Sequence, residues 1–174
     1  MIEFITNEKI YRNVVLEAVP SAKKFLWIAT AAIKDMYVEK ARGMVPFLKV
    51  LANLVDEGVL VRLIHAKEPG PNFRRDFDRY PVLARGLERL LCPRCHFKSV
   101  VVDGKLAYSG SANLTGAGMG AKSPDNRNFE NGILTDDKAL IKGIMTQFDG
   151  LWMGSHCRTC GRSGFCAEYG DMIK

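Results

Sequence analysis

HFKSVVVDGKLAYSGSANLTG, residues 96–116, sets two short apolar runs on either side of Asp103-Gly104. Asp-Gly between apolar runs predicts a tight hairpin, because both residues accept the positive φ that a two-residue turn demands. Such a turn pairs Val102 with Lys105, Val100 with Ala107, Lys98 with Ser109 and His96 with Ser111, in the absence of a bulge. Side chains alternate along a strand, so His96, Lys98, Ser109 and Ser111 are expected on one face, with Asn113 just beyond. An imidazole, an ammonium, hydroxyls and an amide suit a phosphate. Lys98 supplies charge, Ser111 and Asn113 supply hydrogen bonds, and His96 can act as nucleophile or as acid and base. Asp103 is expected to serve the turn rather than to touch the reacting atoms.

Working outward, the segments around this hairpin read as alternating helices and strands. Asn7 is placed to cap a helix carrying Ile10, Val14, Val15 and Ala18 on one face and ending near Pro20-Ser21. Lys24 to Ile33 is a nearly continuous apolar run, as expected of a strand covered on both faces. Val45 to Glu57 is an amphipathic helix stopped by Gly58, and Val59 to His65 is a second apolar strand. Helix, glycine and strand in that order predict an α/β fold with a mixed, largely parallel sheet flanked by helices. His65, at the end of its strand, reads first as a structural histidine.

Residues 66–80 break the pattern with prolines, a glycine and three arginines among Phe73, Phe77 and Tyr80, which predicts an irregular surface segment. Arg74, Arg75 and Arg79 could reach substrate phosphates while an aromatic stacks on a base, or they could simply pair with Asp76 and Asp78. A helix is expected from Pro81 to about Leu91, a polar loop over Thr115 to Asn128, and a strand from Phe129 to Thr135. Asp136 or Asp137 then caps a last helix with Leu140, Ile144, Phe148 and Trp152 inward. The composition divides the chain into residues 1–153 and a cysteine-rich tail, 154–174.

Five cysteines without a secretion signal argue against a secreted disulfide framework. Cys92-x-x-Cys95 precedes His96, and Cys157-x-x-Cys160 opens the tail with His156 beside it and Cys166 following. Two C-x-x-C pairs are a zinc pattern, since a two-residue spacer lets both sulfurs bind one tetrahedral ion. The expected site is a structural zinc held by Cys92, Cys95, Cys157 and Cys160, with Cys166 or His156 as substitute ligand. Disulfides and an iron–sulfur cluster are the alternatives. Four thiolates leave no open position, so the metal is not expected to act in catalysis.

The formal charge of +6 favours a polyanionic partner, and no apolar run reaches the length of a membrane span. The start of the chain lacks a signal peptide's pattern, so a soluble, cytoplasmic protein is expected.

His96-x-Lys98, Asp103, and Gly110-Ser111-x-Asn113, at these spacings and followed by Glu130, resemble the HKD motif of the phospholipase D superfamily. The resemblance extends roughly from Phe25 to Trp152. It implies metal-independent phosphodiester hydrolysis without a catalytic cofactor. His96, Lys98, Asn113, Ser111, Glu130 and Asp103 then form the catalytic set, with Glu130 orienting the imidazole. Arg74, Arg75, Arg79 and Ser109 are the substrate-binding candidates. Members generally need two HKD motifs, and one copy here implies a homodimer with a shared site. The implied substrate is DNA or RNA, cleaved through a phosphohistidine. A phospholipid phosphodiesterase and a non-catalytic, zinc-stabilised nucleic-acid-binding protein are the rival readings.

Overall fold

The computed structural model describes residues 1–168 of the chain. Nine strands form a seven-stranded sheet and a separate two-stranded ribbon. In chain order the strands are β1 (Ile2–Thr6), β2 (Phe25–Thr30), β3 (Tyr37–Lys40), β4 (Gly43–Pro46), β5 (Leu60–His65), β6 (Leu87–Leu91), β7 (Lys98–Val102), β8 (Leu106–Gly110) and β9 (Asn131–Thr135). The helices are α1 (Glu8–Ile10), which continues as a π-helix over Tyr11–Ala18, then α2 (Phe47–Asp56), α3 (Pro71–Asp78), α4 (Pro81–Gly86) and α5 (Lys138–Trp152). The large sheet runs β1-β9-β8-β7-β2-β5-β6.

This is the expected mixed sheet flanked by helices, but parallel pairing is confined to β2, β5 and β6. The remaining neighbours are antiparallel. The first half is built on parallel pairing, and the hairpin and the returning strands β9 and β1 turn the other half antiparallel.

β2 shows why its sequence is apolar throughout. Leu26 and Ile28 enter the larger core with Val14, Leu51, Leu63 and Tyr108, while Ala29 and Trp27 face α5. There Phe148, fully buried, stacks between Trp27 and Trp152 at ring separations of 4.9 and 5.8 Å. Asp137 caps α5 by accepting from the backbone N–H groups of Ala139 and Leu140. Ile141 and Phe148 are its buried positions, whereas Leu140, expected inward, is 43% exposed.

Several local expectations are corrected. The segment 66–80 is irregular only at its ends: residues 71–78 form α3, and Pro71 occupies its first turn, where the missing N–H costs nothing. The helix from Pro81 ends at Gly86, and Leu87–Leu91 becomes an edge strand parallel to β5. Those five residues have no strong strand propensity; pairing with β5 decides their conformation. Strands β1, β3 and β4 lacked a clear alternating pattern and were not anticipated. Asn7 stands at the N-cap position but makes no side-chain cap bond.

The hairpin around Asp103-Gly104 is shifted by one residue. Asp103 and Gly104 both have positive φ, 54° and 64°, and Lys105 N donates to Val102 O, as a tight turn requires. The ladder then resumes with Leu106, not Lys105, opposite Val102, so Val100 pairs with Tyr108 and Lys98 with Gly110. One extra residue after the turn inverts the faces of β8. Ser109 consequently pairs with Ser99, on the face opposite Lys98, and by the same shift Ser111, expected opposite His96, follows a Gly110 that pairs with Lys98.

Candidate active site

Lys98 opens β7 one step beyond the Ala29–Ser99 pair, beside Thr30 at the end of β2. His65 pairs with that same Thr30 from β5. The ends of these three adjacent interior strands bring Thr30, His65 and Lys98 together, all buried. His96 precedes β7 and is exposed. The Nζ of Lys98 lies 3.3 Å from Nδ1 of His96 and also donates to the His96 carbonyl. Among the described residues no carboxylate lies within salt-bridge distance of Lys98. A cation on a buried stem, without a counter-ion and beside an open imidazole, is suited to receive an anion.

Asn113 is fixed through its carbonyl. Its Oδ1 accepts from Ala32 N at 3.0 Å and stands 3.3 Å from the Thr30 hydroxyl, which itself accepts from Leu114 N at 3.0 Å. With the oxygen engaged, the amide has its NH₂ group left to donate. Thr30 thus positions Asn113, a role the sequence signalled only as a single hydroxyl at the end of an apolar run.

Glu130 is held from both sides. Asn7 N donates to the Glu130 carbonyl, and Glu130 N donates to Asn7 Oδ1 at 2.9 Å. This explains Asn7: its φ of 49° and its side chain serve Glu130 instead of the helix end. The Glu130 carboxylate accepts from the Ser111 hydroxyl and from Asn128 Nδ2. Ser111 also accepts from Asn131 N at 3.1 Å, so its hydroxyl links Gly110 to the Glu130 loop. Within one chain, among the described residues, the hydrogen bonds of Glu130 run to these groups and not to His96.

The glycine of Gly110-Ser111 is required by packing. A Cβ there would lie 2.3 Å from Asn131 O and 2.4 Å from the Tyr108 hydroxyl. The Tyr108 ring fills the space over Gly110 and its partner Gly132, and burial pushes its phenol up to about 12.

With this constellation in place, comparison with known proteins gives a family. A model described as cardiolipin synthase, PLD-like domain matches residues 15–152, most of the chain. The chain belongs to the phospholipase D superfamily. Its membership supports reading the HKD constellation as that of an enzyme. Among curated proteins, a mitochondrial cardiolipin hydrolase of Chlamydomonas reinhardtii is 29% identical over 104 residues, spanning 59% of this chain and 44% of that relative. The match therefore spans less than half of the relative's length. Among solved structures, the phospholipase D family member Nuc of Salmonella typhimurium superposes with a TM-score of 0.62 at 18% identity, covering 87% of this chain and 95% of Nuc. NucT of Helicobacter pylori gives 0.61 at 15% identity, covering 86% and 94%. At these identities the structural likeness speaks for the fold.

The D of this superfamily's motif lies at the far end of the hairpin from His96. Asp103 accepts from the backbone N–H groups of Lys23, Lys24 and Phe25 at 3.0, 2.8 and 2.9 Å, clamping the entry to β2. Burial alone would raise its carboxyl; the three N–H donors outweigh that and hold it below the ordinary value. His65 is pulled down mainly by burial, and its Nδ1 lies 2.9 Å from Lys67 O, as suits a structural histidine.

The proposed phosphate-binding arginines are engaged locally. Arg79 pairs with the buried Asp76 at 3.0 Å, Arg75 bonds Asn72, and Arg74 bonds Pro69 O. Phe73 is buried, and Arg89 stacks on Phe77. The charged helix is thus a self-paired surface.

All five cysteines are free. Cys92, Cys157, Cys160 and His156 line one cavity of about 120 Å³ beside the end of α5. Both C-x-x-C segments close as turns, Cys95 N donating to Cys92 O and Cys160 N to Cys157 O. Cys95 instead packs between Ala29, Ile64, Leu90 and Phe148, and burial, ahead of neighbouring Cys92, pushes its thiol up to about 12. Among the described residues no three His, Cys, Asp or Glu side chains are gathered closely enough to hold an ion. The expected four-thiolate set is therefore only partly brought together. Cys166 bonds Leu91 O and Arg94 bonds Cys160 Sγ, which docks the tail on β6; residues 169–174 of the tail lie outside the described residues.

Proposed function

We propose that the protein is a metal-independent phosphodiesterase that hydrolyses nucleic-acid phosphodiester bonds at a site shared by two copies of the chain. The observation that carries the reading is the Lys98 ammonium, without a carboxylate partner among the described residues, set 3.3 Å from the exposed His96 ring. One His96 attacks phosphorus and the P–O bond to the leaving group breaks, while the second copy's His96 donates a proton to that oxygen. The resulting phosphohistidine is hydrolysed by water that the second imidazole deprotonates. Lys98 and the free NH₂ of Asn113 stabilise the non-bridging oxygens as charge builds. Ser111 and Glu130 hold the floor of the site.

The charge of +6 supports a nucleic-acid substrate. A phospholipid is the second reading, favoured by the cardiolipin hydrolase among the relatives. No helix of the described residues is long and apolar enough to cross a membrane. A cytoplasmic location belongs to the first reading.

The test incubates wild type and His96→Ala with labelled single- and double-stranded DNA, RNA, and phosphatidylcholine or cardiolipin vesicles, with and without EDTA. Nucleic-acid cleavage lost in the variant and retained after brief EDTA treatment is expected. Cleavage of vesicle lipid alone would replace the first reading by the second, and full activity in His96→Ala would remove the nucleophile. Sedimentation equilibrium should give a dimer.

A further inference from the structure

Phe129 is 96% exposed, well beyond the next most exposed aromatic among the described residues, Phe165, at 76%. A single exposed apolar residue is ordinary on a floppy loop. Phe129 is not on one. Asn128 N donates to Ala117 O, the Asn128 amide holds the Glu130 carboxylate, Glu130 is paired in both directions with Asn7, and Arg127 Nη1 reaches Glu8. The backbone on either side of the ring is fixed, yet the ring itself is almost wholly in water.

Its place narrows its purpose. The next residue, Glu130, accepts from Ser111 of the HKD motif, so the backbone that carries Phe129 adjoins the site. Its sequence neighbours, Asn126, Arg127, Asn128, Glu130 and Asn131, are all polar. A bilayer or an apolar protein interface wants contiguous apolar area, whereas a nucleobase needs one flat face with hydrogen-bonding groups around it.

We propose that Phe129 stacks on a nucleobase close to the scissile phosphate and so sets the preference of this site for single-stranded nucleic acid. The inference rests on the nucleic-acid reading of the site. Stacking binds the substrate without taking part in bond cleavage, so its loss should appear in KM and leave kcat nearly untouched.

The experiment compares wild type with Phe129→Ala, Phe129→Leu and Phe129→Trp on a single-stranded oligonucleotide series carrying one abasic position at a time. Phe129→Ala should raise KM by about 5- to 150-fold, the range given by one base–aromatic stack. Trp should restore most of the loss and Leu should not, and wild type should be sensitive to one abasic position to which Phe129→Ala is indifferent. An unchanged KM in Phe129→Ala overturns the inference while leaving the nuclease reading intact. So does a changed oligomeric state on sedimentation, which makes the ring a contact between copies. Loss of vesicle binding with oligonucleotide KM unchanged makes it a membrane anchor and overturns it equally. Wild type that cleaves no nucleic acid overturns both readings.

Discussion

Replacing Asp103 separates the two ways of understanding the D of the motif. In the structure its carboxylate accepts three backbone N–H groups, from Lys23, Lys24 and Phe25, and its φ is +54°. Hydrogen bonds to a charged acceptor contribute about 1.5 kcal/mol or more each, but this carboxylate is partly exposed and water can replace part of the loss, so about 2 kcal/mol in total is reasonable. Ala adds about 1 kcal/mol for the left-handed backbone, which Asn tolerates. Asp103→Ala should therefore cost about 3 kcal/mol and Asp103→Asn about 1 to 2 kcal/mol, or roughly 6–12 °C and 2–8 °C in Tm for a chain of this length. Thermal unfolding followed by circular dichroism measures the shift. Phosphodiesterase activity, assayed well below both midpoints, should stay within about threefold of wild type. Because the folded carboxyl sits below its unfolded value, its contribution is present above that unfolded value and is lost as pH falls through the folded one. The gap between wild type and Asp103→Asn should therefore close in acid. A hundredfold loss of activity with Tm unchanged would refute the structural assignment.

His65 carries a pH prediction of the same sign. Burial depresses its pKa below the ordinary 6.5, so the neutral ring is accommodated fully above that value and stability falls as pH drops below it. Denaturant midpoints between pH 8 and 5 should decline less steeply in His65→Gln than in wild type. Thr30→Val removes the hydroxyl that meets Leu114 N and flanks Asn113; kcat should fall about tenfold with stability lowered by about 1 to 2 kcal/mol, as read by steady-state kinetics and urea titration. Gly110→Ala forces a Cβ against the Asn131 carbonyl and should cost about 3 kcal/mol or more, visible as lost soluble expression or a lower midpoint, whereas Tyr108→Phe should cost less than about 1 kcal/mol. Phe148→Ala empties the space between Trp27 and Trp152 and should cost about 3–5 kcal/mol by the same measurement.

The sequence by itself determined the constituents of the site and most of its scaffold. His96, Lys98, Asn113 and the Asp-Gly turn stand at fixed short spacings, and their chemistry is local enough to be read from residue type. The two-sided apolar run of β2 and the Asp137 cap are likewise properties of a few consecutive residues. Tertiary structure decided what depends on residues far apart in the chain. Whether Lys105 is bulged out, and hence which face Ser109 takes, depends on how β8 pairs with both β7 and β9. Leu87–Leu91 is a strand because β5 offers an open edge, against its own weak propensity. Asn7 lies 123 residues from Glu130 and Thr30 lies 83 from Asn113, so their hydrogen bonds exist only after the sheet has assembled. A spacing pattern records which groups are available, and only the closed fold assigns each donor to its acceptor.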